Sequence, residues 1–369
     1  MKHSAKVSRP EIFAMSLLSV LMLAAGILIA YSLGSFKMRA PQTGGSLMPP
    51  GMIMEHNAST SQMTDMQAAD ERQVSYTAQA DAQGDQELAP EIVNGVKVFH
   101  LEVSEIKWHI LPDREIVALA YNRQIPGPRI HVRQGDRIRV IVHNSFNEPT
   151  TVHWHGLIVP NSMDGASDVT QKPIQPGTSF TYEFTVLQNG TYFYHSHFNP
   201  DRQQELGLYG AFIIDPPHQD LKYDQAVDVE LGEWLLRNGR TYPSMPMEGL
   251  MPNFFTINGK SYPSTPTIHL KIGQRLLVRF IGSNSGFVHP MHIHGGPFQV
   301  VAIDGNELTP AQRYMRDTIS VAPGERYDVI WPARERGKWL LHCHINHHNT
   351  NDGEEDRGGG GLTEIIDVE

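Results

Sequence analysis

The chain repeats itself. Ile130-His131-Val132-Arg133-Gln134-Gly135-Asp136-Arg137 returns as Ile268-His269-Leu270-Lys271-Ile272-Gly273-Gln274-Arg275, and downstream of each copy stand a histidine pair, a Pro-Gly turn, a glycine and a second histidine pair. The later landmarks keep a constant spacing of 147 positions: Pro176-Gly177 against Pro323-Gly324, Gly190 against Gly337, His195 against His342. A duplication of that length specifies two similar domains. Alternation decides their kind. Phe99, Leu101 and Val103 alternate with His100 and Glu102, and Ile130, Val132, Ile138 and Val140 are separated by polar residues and a Gly135-Asp136 turn. No long stretch of helical period competes with these strands. The plentiful Gly and Pro suit short strands joined by turns. The expectation is an all-β protein of two β-sandwich domains, residues 91–217 and 218–369, joined near Pro216-Pro217.

Each repeat carries two His-X-His pairs: His153-Trp154-His155 and His195-Ser196-His197, then His292-Ile293-His294 and His342-Cys343-His344. In a strand, residues i and i+2 share a face, so each pair presents two imidazoles side by side. One such pair is ordinary. Four at matching positions are costly to keep unless a metal takes up the crowded lone pairs. Cys343 is the only cysteine, which excludes an intrachain disulfide. It lies on the opposite face of its strand from His342 and His344, where it can join His289 and His348. Two imidazoles and a thiolate are the ligand set of a blue electron-transfer copper. Covalent adjacency gives an electron entering at the Cys343 sulfur two short backbone routes to His342 and His344.

These segments, His153-Trp154-His155-Gly156, His195-Ser196-His197, His289-Pro290-Met291-His292-Ile293-His294-Gly295 and His342-Cys343-His344-Ile345 with His348, stand intact and in order. Over residues 95–369 the chain resembles the multicopper oxidases. The resemblance implies cupredoxin-like Greek-key sandwiches and four coppers per chain. It implies type 1 copper at His289, Cys343 and His348, type 2 at His153 and His292, and a type 3 pair at His155, His195, His197, His294, His342 and His344. Electrons would pass from Cys343 through His342 and His344 to dioxygen. Asp164, in Met163-Asp164-Gly165, matches a residue that assists proton delivery, although an Asp before Gly is commonly just a turn residue. Asn346 stands where many members carry a proton-relaying Glu or Asp.

Domain 1 has Thr150, Ser196 and Asp201 where domain 2 has His289, Cys343 and His348. The chain in this respect resembles two-domain laccases with type 1 copper in the C-terminal domain. That likeness implies a trinuclear site completed between subunits of a homotrimer. It implies O2 and a one-electron donor (a phenol, an aromatic amine or a low-valent metal ion) as substrates. The alternatives are a copper-binding or copper-homeostasis protein acting as a cuprous oxidase, to which Met245, Met247 and Met251 would contribute, and a copper nitrite reductase. The nitrite reductase places its type 1 Cys in the first domain, where this chain has Ser196. The type 1 axial position is open: ten residues after Cys343 comes Gly353, which cannot ligate. Beyond the insertion 349–360 lies Leu362, the candidate axial neighbour, with a remote Met or the carboxylates of Asp352 and Glu354 as alternatives.

At the N-terminus, Ile12 to Gly34 is an uncharged, largely apolar run preceded by Lys2, Lys6 and Arg9. About 20 such residues span a bilayer, so residues 1–35 are expected to form a transmembrane anchor, with a long cleaved signal peptide as the alternative. The remainder would then lie in the periplasm or on another extracytoplasmic face, tied to the cytoplasmic membrane by residues 12–34. Residues 36–90 lack sustained periodicity and read as a flexible linker. Met48, Met52, Met54, His56, Met63 and Met66 cluster there. A formal charge of −10 argues against nucleic acid as a partner.

Overall fold

The computed structural model describes residues 65–369, apart from 247, 248, 285, 356 and 357. It is all-β, with two cupredoxin-like sandwiches in series, as the repeat predicts. In the first, the long strand Val96–Leu111 pairs antiparallel with Arg114–Tyr121 and parallel with Arg137–Asn144, and Ser179–Thr185 lies beyond. The facing sheet runs Ile130–Arg133, Tyr209–Asp215, Gly190–His195, His153–His155. Alternate residues of both sheets meet between them: Phe99, Leu101, Val103, Val140 and Val142 from one, Ile130, Val132, Trp154, Tyr194 and Phe212 from the other. Burying side chains of this size stabilises the sandwich by about 1.5–3 kcal/mol each.

That packing orients the first histidine pair. Trp154 is fully buried and meets the rings of Tyr182, Phe184 and Phe212 edge-on. Its neighbours His153 and His155 must therefore face away from the core. The register then sets His153 opposite His195.

The second sandwich repeats the plan. One sheet holds Gln225–Arg237, Arg275–Ile281, Arg326–Pro332 and Phe298–Ile303. The other runs Ile268–Leu270, Thr363–Val368, Gly337–Cys343, His289–Ile293, Thr318–Val321. Its register pairs His292 with His342 and Met291 with Cys343. Met291, Ile293, Leu341 and Cys343 lie in the core, so the same strands turn His292 and His342 outward. One alternation thus builds two environments, one inside the sandwich and one outside.

The N-terminal expectations need correction. Among the described residues no helix is long and apolar enough to cross a membrane, and the run 12–34 lies outside them. The transmembrane helix therefore drops out of the fold, and with it the membrane as a partner and the membrane-anchored location. The end of the expected flexible linker is a packed strap. Met66 is buried with Leu235, Tyr242 and Leu250, and Ala69 N–H donates to Thr241 O at 2.9 Å. Tyr76 and Thr77 pair with Ile106 and Lys107. Arg129 of domain 1 bridges Asp85 of the strap (3.1 Å) and Asp228 of domain 2 (2.7 Å). The strap lacks periodicity because it makes no continuous sheet; small residues such as Ala68, Ala69 and Ala78 slip into the gap instead. Met48, Met52, Met54, His56 and Met63 lie outside the described residues, as does Met247.

Candidate metal centre

Three histidine clusters form, one inside domain 2 and one on the outer face of each domain. Inside domain 2, His289 Nδ1 and His348 Nδ1 are 3.1 Å apart. Cys343 Sγ lies 3.7 Å from the latter and 4.0 Å from the former. All three residues are buried. Burial pushes the Cys343 thiol up to about 12 and, with His289 and His347 nearby, holds the His348 imidazole neutral down to about 3. Three donor atoms thus converge in an apolar pocket with no cation among them. Such a thiol ionises only when a metal displaces its proton, so the donor set fits a soft metal ion.

His289 and His348 are held from behind. His289 Nε2 stands 2.9 Å from Glu233 Oε1, though off the line of the N–H bond, so the contact is electrostatic. Both residues are fully buried, and Glu233 also accepts from Gly286 N–H and Phe287 N–H at 3.1 Å each. Phe255 stacks on His348 with ring centroids 4.2 Å apart. Leu362 lies in the same core as Cys343; its carbonyl accepts from Cys343 N–H at 3.1 Å and its own N–H donates to His348 O at 2.9 Å. Of the alternatives for the axial position, Asp352 instead accepts from Asn253 at 2.8 Å.

On the outer face of domain 1, His155 Nδ1 lies 3.3 Å from His195 Nε2. The His153 ring is 5.3 Å from that of His195 and 5.5 Å from that of His197. Burial, then the nearby Arg326, holds His155 neutral down to about 4; burial and the neighbouring histidines hold His195 far below the usual imidazole range. On domain 2, His294 Nε2 and His342 Nε2 are 3.0 Å apart, and the rings of His292 and His344 lie 5.2 Å apart. Burial again lowers His294 and His342. Neutral nitrogens this close repel unless a cation lies between them.

Backbone carbonyls set the tautomers. His153 Nδ1 donates to Asp164 O (2.8 Å), His292 Nδ1 to Asp317 O (2.5 Å), His195 Nδ1 to Ser196 O (2.8 Å) and His342 Nδ1 to Cys343 O (2.8 Å). A carbonyl only accepts, so each Nδ1 carries the proton and each Nε2 keeps its lone pair for a metal. Asp164 reaches its place because Gly165 adopts φ +86°, with no room for a side chain against the Val152 carbonyl. Its Oδ1 lies 3.6 Å from His153 Nδ1.

Every histidine singled out by spacing thus falls in one of these clusters. The structure adds Glu233, Asp317 and Asn349, which pattern reading missed. Glu233 left a faint signal, an acid within the otherwise apolar run Leu231 to Leu236. The other two stand in short irregular segments and left none. Asp201, aligned with His348 by spacing, is exposed; the helical turn Pro200–Gln203 puts Gln203 into the corresponding pocket instead.

Two multicopper oxidase family models match this chain, over residues 102–219 and 240–352. Laccase-1 of Cryptococcus neoformans var. grubii is 34% identical over 250 residues, covering 59% of this chain and 38% of the relative. Multicopper oxidase MmcO of Mycobacterium tuberculosis is 31% identical over 59% of this chain and 48% of its own. Copper resistance protein A of Escherichia coli is 29% identical over 63% and 45%. The chain therefore spans less than half the length of these curated relatives. Among solved structures, the blue copper oxidase from Nitrosomonas europaea superposes with a TM-score of 0.68 at 32% identity, covering 74% of this chain and 86% of that one.

Proposed function

This chain belongs to the multicopper oxidase family, and from that premise we propose that it couples one-electron oxidation of a phenol, an aromatic amine or a low-valent metal ion to the four-electron reduction of O2 to water. It binds copper through its His and His/Cys clusters. In our reading each chain holds four ions: type 1 at His289, Cys343 and His348, type 2 at His153 and His292, and a type 3 pair at His155, His195, His197, His294, His342 and His344. Bound copper supplies the one-electron chemistry and the site of O2 reduction.

The observation that carries the reading is the strand ending at Cys343. Its sulfur faces inward to His289 and His348, while His342 and His344, one residue away on either side, face outward. One stretch of backbone therefore touches both kinds of site. Asp164, beside His153, is the proposed proton donor toward O2, since Asn346 carries no ionisable group. Cu(I) is among the candidate donors because two of the relatives are copper resistance proteins.

The outer clusters are half-sites. Among the described residues no ring contact joins the set at His153, His155, His195 and His197 to the set at His292, His294, His342 and His344. We place their completion between copies, domain 1 of one against domain 2 of the next, in a closed ring of three. Ile158 and Leu187, 59% and 56% exposed near the first set, suit such a contact.

The test is to load the full chain with copper and measure metal content, visible absorption, EPR and O2 uptake with a phenolic donor. Four coppers per chain, an intense blue band, a type 2 signal and O2 consumption are expected. One copper per chain with no type 2 signal would leave an electron-transfer or copper-binding protein.

A further inference from the structure

We propose that Asn349 is a positioning residue of the route by which electrons leave the buried thiolate site, bracing the Cys343 carbonyl against the His342 ring. The inference rests on the copper assignments above and adds a residue to them.

The geometry is specific. Asn349 Nδ2 donates to Cys343 O at 2.5 Å and lies 3.3 Å from His342 Nδ1. His342 Nδ1 donates to the same oxygen at 2.8 Å. The amide cannot be turned round, because an oxygen facing a carbonyl has no proton to share. Asn349 Oδ1 meanwhile is buried without a partner. Satisfying both ends of an amide is the ordinary outcome, so the side chain holds its place through its donor alone. Two N–H groups thus converge on the one carbonyl between the sulfur-bearing residue and the outward imidazole.

The repeat supplies an internal control. In domain 1 the same imidazole-to-carbonyl bond is present, His195 Nδ1 to Ser196 O at 2.8 Å, so that bond belongs to the fold and not to electron transfer. The position matching Asn349 is Arg202. It turns away to Glu148 (3.0 Å) and the Gln67 carbonyl (2.5 Å). The second donor therefore occurs only in the domain that carries the cysteine.

Its physical effect follows. An electron leaving the Cys343 sulfur can reach His342 along the covalent backbone or across the hydrogen bond from the Cys343 carbonyl to the imidazole. The second path is shorter, and it is effective only while carbonyl and ring keep their distance. A second donor on the carbonyl restricts its swing and fixes the Nδ1–H tautomer of His342, as outer hydrogen bonds do for metal-binding histidines. No bond forms or breaks and no proton moves. One electron passes for each donor oxidised, and four reduce one O2.

Copper-loaded Asn349→Leu and Asn349→Asp variants of the full chain test this; the second keeps the shape and, when ionised, removes the N–H donors. The type 1 copper is reduced by a pulse without O2, and the return of the blue band is timed. Both variants should keep the parent's copper content, blue band and type 1 EPR signal. Intramolecular transfer should slow by about tenfold, the size of effect such outer hydrogen bonds have elsewhere, with kcat falling and the donor KM unchanged. Transfer within twofold of the parent rate in both variants overturns the proposal. So does loss of the blue band in both, which would make Asn349 a structural support of the copper pocket. A parent protein with no blue band overturns the copper assignments themselves, an outcome visible before any variant is made.

Discussion

At the end of the strand Gly337–Cys343, domain 2 closes on two imidazoles and a thiol. At the same place in domain 1 the strand Gly190–His195 leads to Ser196, whose hydroxyl donates to Gln203 Oε1 at 2.7 Å. Thr150 donates to the same oxygen at 2.9 Å, and Gln203 Nε2 donates to Pro149 O at 2.8 Å. Thr150, Ser196 and Gln203 are all completely buried. One sandwich position therefore has two contents. In domain 1 the polar groups satisfy one another and the pocket is complete without a ligand. In domain 2 the donors His289, Cys343 and His348 face one another, and only a metal reconciles them. The metal site is thus an alternative filling of a pocket the fold already provides.

The sharpest way to break this comparison is to remove the third member of each set. Gln203→Leu strands two buried hydroxyls, and each unsatisfied group costs about 1–3 kcal/mol, so domain 1 should lose about 2–4 kcal/mol. His348→Leu in the copper-free protein should change stability by less than about 1 kcal/mol, because a leucine still packs on Phe255 and no hydrogen bond to a satisfied partner is lost. Copper should stabilise the parent but bind the His348→Leu chain less tightly, narrowing that gain. Urea unfolding with and without copper reads all of this. Equal losses in the two copper-free variants would mean that the domain 2 pocket is closed without metal.

A second contrast lies one strand over. Domain 2 places Glu364 opposite Leu341, and domain 1 places Gly210 opposite Tyr194, whose ring fills the space over the glycine. Glu364 is buried with Oε2 unpaired, and burial raises its carboxyl to about 8. The folded value lies above the unfolded one, so the neutral acid's contribution is complete below about pH 4.5. It is lost as pH rises toward about 8 and beyond, because folding then either keeps a proton the unfolded chain releases or buries a charge. Glu364→Gln should flatten that decline, leaving the variant about 2 kcal/mol better than the parent at pH 9 relative to pH 5. Parallel stability curves for the two chains from pH 5 to 9 would show that Glu364 ionises as freely folded as unfolded.

How much of this was legible in the residues follows the same division. Regular strands announce themselves: the alternation around Trp154 and Cys343 places every His-X-His pair on the correct face, because a period of two leaves no choice. What lies between strands does not. Asp201 aligns with His348 by counting, yet a single helical turn hands the pocket to Gln203. The strap at Met66 to Asp85 shows no period because its contacts are made one residue at a time. Asn349 and Asp317 act through a single amide and a single carbonyl, in segments whose path no pattern specifies. The uncharged N-terminal run gives a clear length signal, but length alone does not place a helix in the fold.

The smallest effect concerns the residue between the two strands that carry the inner pocket. Leu362 bridges Cys343 and His348 through its backbone, and its side chain belongs to the core with Cys343. A hydrocarbon there offers copper no donor, which favours the reduced ion over the oxidised one. Domain 1, with no metal, has no use for such a choice, so the substitution should matter only where the comparison says copper sits. Leu362→Met conserves volume, costs under about 1.5 kcal/mol, and brings a weak thioether to the site. If it favours the oxidised ion by about tenfold, the type 1 reduction potential falls by about 59 mV. Spectroelectrochemical titration of the blue band measures that shift directly. An unchanged potential with an unchanged spectrum would place the axial direction elsewhere in the pocket, and Met291, opposite Cys343 in the adjoining strand, would be the next residue to substitute.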